Sequence, residues 1–199
     1  MANFNQWKNI LPKFLSPADT RKLFECLKDF PANINKIIYT DTLPSDEIFQ
    51  GDAFDSFPTI TFPDQIIRNG PVMVLSNTCD ISKANTRQLP VFMVYCWIRP
   101  LRAIEEHLLN GGITKERVEA IVGSIRSQMN TSIFFLPQGG RLTQECAAFF
   151  DLVASYDRNC IPDEAINDQR LFSLSQYGAY LFAFKLGVHL TRLTDGVVR

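Results

Sequence analysis

The stretch GPVMVLSNTCDISK, Gly70 to Lys83, carries an apolar run into five consecutive side chains that can bond or react: Ser76, Asn77, Thr78, Cys79 and Asp80. Strands are usually bounded by turn residues such as Asn-Gly, so a thiol beside a carboxylate at a strand end raises the question of chemistry. Cys79 is a candidate nucleophile displayed at that end. Asp80 opposes this use, because a neighbouring negative charge raises a thiol pKa and the thiolate is the reactive form. Activation would need a cationic partner, and both histidines, His107 and His189, fall in expected helices. The bland reading of Cys79 is a small buried hydrophobe. Asp80 and Asp52, brought to one end of a barrel, are candidates for acid–base work or for holding a divalent ion. At each position the commoner role of aspartate is to stabilise a turn, and Asp151 admits the same two readings.

Ser76, Asn77 and Thr78 are small hydrogen-bonding groups suited to a phosphate or a base edge, or simply to ending the strand and satisfying a neighbouring loop. Arg87, in KANTRQLP, and Arg99, after YCWI, lie near Tyr95 and Trp97 in sequence and could form a stacking-plus-phosphate surface. Lys185, His189 and Arg192 follow at i, i+4 and i+7, a basic helical stripe that is either a solvated face or a contact for nucleic acid. The net charge of −1 gives no global attraction to polyanions. No ligand spacing implies a structural metal, and no motif implies a cofactor.

These groups need a scaffold. The hydrophobic fraction is 46% and sixteen residues are Phe, enough large rings to build a sizeable core. The five cysteines are odd in number and widely spaced, which argues against a disulfide framework and for a reducing cytoplasm. No apolar run reaches membrane-spanning length and the N-terminus lacks a signal-peptide pattern, so no membrane association is expected. The reading is one domain over 1–199, beginning with a helical arm over 1–44. Its helix follows Ser16 as cap and Pro17 at the first turn, with Leu23, Leu27 and Phe30 on one face and Pro31 ending it. Short runs rich in Val, Ile, Phe and Tyr then predict strands within 45–100 and 131–199, with Gly51-Asp52 marking a bend. Residues 101–130 predict an inserted helical hairpin, capped at Thr114, with Val118, Ile121, Val122, Ile125 and Met129 on its apolar face. A terminal helix follows, with Tyr177, Leu181, Phe184 and Val188 as its apolar side. The class is α+β around a small antiparallel β-barrel.

The order QGDAF, GPVMVLS, VFMVYCW, ECAAFFDLVASYDRNC and terminal helix resembles the small SH3-like barrel of PemK/MazF-type (Kid-like) toxins over roughly half the chain. That resemblance implies a barrel and a toxin–antitoxin setting. The Thr-Cys-Asp ending also resembles a signature of bacterial phage- and defence-associated proteins. In the family's ribonucleases an arginine precedes the Pro-led strand and a hydroxyl residue lies near the end of the next one. Here Gly70 precedes Pro71, Arg68 is two positions away, and Cys96-Trp97 occupy the hydroxyl region. The resemblance therefore implies a toxin-like interaction module binding protein or nucleic acid. The alternative is a divergent endoribonuclease or hydrolase using the Ser76–Asp80 rim with Asp52. An amphipathic hairpin must bury its apolar face on the barrel or on another chain, so a homodimer or a partner protein stays open.

Overall fold

The computed structural model describes residues 38–61, 63–85 and 88–191, all within one compact unit, Ile34–Arg199. The expected helix over 16–31 lies outside the described residues, while 38–44 are not helical and open the sheet. Seven strands run β1 Tyr39–Thr40, β2 Ala53–Thr61, β3 Ile66–Val74, β4 Phe92–Pro100, β5 Ile133–Leu136, β6 Cys146–Asp157 and β7 Arg170–Leu174. Five helices join them: α1 Thr78–Ile81, α2 Leu101–Asn110, α3 Lys115–Arg126, α4 Asp163–Gln169 and α5 Gln176–Thr191. Among the described residues no helix is long and apolar enough to cross a membrane.

The α+β class holds, but the barrel does not close. The strands form one antiparallel sheet in the order β1-β7-β2-β3-β4-β6-β5, so β1 and β5 are edges rather than partners. The ends still approach each other through a loop. Tyr39 Oη donates to the Pro137 carbonyl at 2.7 Å, and the Arg141 amide donates to the Leu171 carbonyl at 2.7 Å. Gly140 permits this approach, with φ +57° and the Leu171 carbonyl 2.8 Å from where a Cβ would stand. The loop occupies the space a closing ladder would need, and β1 has only two residues to offer.

Irregular pairing supplies the curl. In β2–β3, Asp55 and Ser56 oppose the single residue Pro71, because the register shifts between Phe54 and Phe57. Proline has no amide for a ladder, and a bulge is where a sheet interior tolerates it. In β4–β6 the register jumps from Cys96–Val153 to Trp97–Phe149, leaving Phe150, Asp151 and Leu152 without partners on β4. Bulges of this kind bend a strand and increase its twist.

The curled face encloses a core of Phe54, Phe57, Val72, Val74, Met93 and Tyr95, closed by Ile81 and Ile166. Phe57 meets Phe54, Tyr95 and Tyr156 at centroid separations of 5.5, 5.6 and 6.0 Å. A second aromatic group joins the sheet to α5: Phe182 packs edge-on against Phe134 and Phe150 at 5.4 and 5.6 Å. Each such pair adds about 0.5–1.5 kcal/mol beyond simple burial.

The helical hairpin forms as expected, and the Thr114 side chain accepts the Arg117 amide as N-cap. Val118, Val122 and Ile125 are buried, whereas Met129 lies beyond the helix and is 75% exposed. After β6 the chain makes a 3₁₀ turn over Arg158–Cys160, capped by the Asp157 carboxylate. The short α4 and β7 were not expected. Arg141 secures their junction by donating to the carbonyls of Asp168 and Arg170 at 2.7 and 3.1 Å, filling acceptors that a helix end leaves open.

Candidate functional site

The strand end opens into a turn in which the polar groups hold backbone. Ser76 Oγ accepts the Val94 amide at 2.8 Å. Asn77 Oδ1 accepts the Cys79 amide at 2.9 Å as the N-cap of α1, which explains why an amide residue precedes this one-turn helix. Thr78 Oγ1 accepts the Gln50 amide at 2.9 Å, and Gln50 Nε2 returns a bond to the Leu75 carbonyl at 2.8 Å. The consecutive polar residues thus join three segments: the turn before β2, the end of β3 and the start of β4. Cys79 and Asp80 project from α1 and are exposed. Cys79 is therefore not the buried hydrophobe of the bland reading.

Asp52 is elsewhere in character. Its side chain is wholly buried, its Oδ2 accepts the Phe49 amide at 2.9 Å, and Arg170 Nη2 lies 3.5 Å from the same oxygen. Burial pushes its pKa up to about 6, while the Phe49 amide, Arg170 and Ser173 pull in the opposite direction. Its Oδ1 and the nearby Ser173 Oγ are buried without a well-formed hydrogen bond. Arg170 also donates to the carbonyls of Pro44 and Glu47, so the ion pair pins the 44–52 loop to β7. Gly51, with φ +88° and the Leu174 side chain 2.5 Å from where a Cβ would stand, makes the turn that brings Asp52 there. The expected bend is present, but Asp52 and Asp80 are not a carboxylate pair: one is buried against an arginine and the other is exposed on a helix. Among the described residues no three His, Cys, Asp or Glu side chains group closely enough to hold a metal ion.

The basic residues are scattered. Arg87 and Arg192 lie outside the described residues. Arg99 is exposed and its guanidinium sits 5.2 Å from the Trp97 ring centroid, but Tyr95 is buried and donates to the Pro58 carbonyl at 2.5 Å. The three side chains therefore do not share one stacking surface. The α5 stripe also turns inward. Lys185 is 6% exposed, donates to Gln128 Oε1, and has its pKa lowered to about 7 by burial. His189 packs on Phe150 at 5.8 Å. The side of α5 expected to be apolar is only half right, because Tyr177 and Leu181 are buried while Phe184 is 68% exposed.

No protein-family model matches this chain, and no curated protein is significantly similar to it. Two features of the site escaped the sequence. Gln128, held at φ +59°, uses its carboxamide to bond both the amide and the carbonyl of Phe135, serving as the neighbour that edge strand β5 lacks on that side. Arg158 is 3% exposed and lines two clefts beside α1, of about 390 and 220 Å³. The signals were single long polar side chains, Gln128 after a helix and Arg158 in YDRNC, which are ambiguous until the partner segment is known.

Proposed function

We propose that this chain is a non-catalytic protein-binding module with a PemK/MazF-like, SH3-like curled sheet, docking a partner protein in a bacterial toxin–antitoxin or phage-defence setting. The observation that carries this reading is a pair of isoleucines on the β2–β3 ribbon. Ile60 and Ile67 stand directly opposite each other across the two strands, 37% and 69% exposed. The alternate positions Phe57 and Thr59 are buried at 4% and 5%, so the isoleucines occupy the outward face. Among the described residues β7 pairs with β2 only at Ala53 and Phe54, and β4 pairs with β3 only from Val72 to Val74. The distal ribbon thus projects beyond the rest of the sheet.

The mode of contact follows from the same residues. Pro58 has no amide and its carbonyl is taken by Tyr95, which blunts this edge against strand addition. A partner therefore meets the ribbon's face, burying the isoleucine pair. The strand end supports the non-catalytic reading, since three of its five side chains hold backbone amides and Asp52 is paired with Arg170.

The test is hydrogen exchange on the purified protein with and without the product of an adjacent gene. The account expects new protection concentrated in 57–70. Protection confined to 76–83, or cleavage of RNA that is abolished by Cys79→Ala and Asp80→Ala with thermal stability unchanged, would replace it with the hydrolase alternative.

A further inference from the structure

Edge strand β5, Ile133–Leu136, reads IFFL: four buried apolar residues with no charge and no proline. Exposed edges of that composition pair readily with copies of themselves. The Ser132 carbonyl accepts the Phe150 amide of β6 at 2.9 Å. By the alternation of an antiparallel ladder, the backbone groups of Ile133, Phe135 and Pro137 therefore point away from β6. Side chains from elsewhere close this edge at Phe135 and Pro137. The Gln128 carboxamide donates to the Phe135 carbonyl at 2.9 Å and accepts the Phe135 amide at 3.1 Å. Pro137 has no amide, and its carbonyl accepts Tyr39 Oη at 2.7 Å. We infer that Gln128 is an edge guard: its carboxamide holds the place of a neighbouring strand, and where it is withdrawn β5 pairs antiparallel with β5 of a second copy of this chain. β4 and β6 separate this edge from the β2–β3 ribbon, so neither reading depends on the other.

The guard is held in position from two sides. Gln128 stands at φ +59°, a backbone form that residues other than glycine adopt at a cost, and here it aims one side chain at both polar groups of Phe135. Lys185 Nζ donates to Gln128 Oε1, which turns that oxygen toward the two N–H donors and leaves Nε2 for the carbonyl. A second copy suits the edge better than a charged partner. Two-fold pairing sets Phe134 opposite Phe134 and Ile133 opposite Phe135, so the outward amides and carbonyls of the two copies satisfy one another. No side chain of the strand is charged, so the symmetric contact brings no like charges together. Pro137 ends the ladder, which keeps the contact short and the pairing weak.

Sedimentation of the full chain, with hydrogen exchange read at the Ile133 and Phe135 amides, tests this. The parent and Lys185→Met retain the guard, so Phe135 should stay protected in both at every concentration. Gln128→Gly combined with Lys185→Met removes the carboxamide, suits the positive φ and leaves no buried ammonium without its acceptor. That variant should lose protection at Phe135 in dilute solution. Protection at Ile133 and Phe135 should then rise with concentration as the mass moves from monomer to dimer, with a dissociation constant at least about tenfold tighter than the parent's. Gln128→Asn tolerates the same backbone form with a side chain one methylene shorter, and it should show the same trend if the double variant does not fold. A variant that stays monomeric at every concentration, or dimers in which Ile133 and Phe135 gain no protection, overturn the proposal.

Discussion

Ser76 Oγ accepts the amide of Val94 at 2.8 Å across eighteen positions of chain, joining the end of β3 to the start of β4. A hydroxyl committed to a backbone amide is structural first. Removing it leaves a part-buried donor unsatisfied, which costs about 1–3 kcal/mol. Ser76→Ala should therefore lower unfolding free energy by about 1–2 kcal/mol in urea titrations, and Thr78→Val, which frees the Gln50 amide, should do similar damage. Cys79→Ala, at an exposed position, should stay within about 0.5 kcal/mol. A strand end built for catalysis would show the reverse, with stability unmoved at Ser76 and Thr78.

Asp52 makes a pH prediction with a definite sign. Its folded pKa of about 6 exceeds the ordinary 3.8, so between these values the native state holds a proton the unfolded chain has lost. The stability it contributes is fully present below about pH 4 and disappears as pH rises through 6. Asp52→Asn should flatten that descending limb in a pH series of urea unfolding. Asp52→Ala should be worse at neutral pH, by about 3 kcal/mol, because it leaves the largely buried Arg170 without its counter-charge.

Lys185 has the opposite sense in an alkaline window. Its folded pKa of about 7 lies below the ordinary 10.5, so the unfolded chain binds more protons between them and stability climbs as pH rises from 7 to 10.5. Lys185→Met fills similar space without the desolvated charge. It should match or exceed the parent in stability at pH 7 and lose the alkaline climb. A variant that retains the climb would mean the lysine is not desolvated as the structure has it.

These residues also show what could be read from the letters. The helical hairpin was legible because Thr114, Val118, Val122 and Ile125 carry both the cap and the period within one element. Strands β3, β4 and β6 announced themselves through dense apolar runs. Closure was not legible: whether a sheet ends in a ladder or a loop depends on Tyr39 meeting Pro137, 98 residues away. Lys185 misled for a related reason. Its spacing with His189 fits a solvated stripe, and the groups that receive an inward lysine, the Gln128 carboxamide and the Phe134 ring, come from other parts of the chain. The strand-end residues stand out as a polar run in the letters, but their hydrogen-bond partners at Gln50 and Val94 come from segments whose approach no local pattern encodes.

The ribbon carries the central claim, and the most direct measurement of it is the dissociation constant for the adjacent-gene partner, by calorimetry, for the parent and for Ile60→Lys with Ile67→Lys. Both substitutions sit on an exposed face, so the melting temperature should hold. The account predicts at least a tenfold loss of affinity, as expected when a buried apolar anchor pair is replaced by charge. Unchanged affinity in that variant, with binding lost instead in Cys79→Ala or Asp80→Ala, would contradict it.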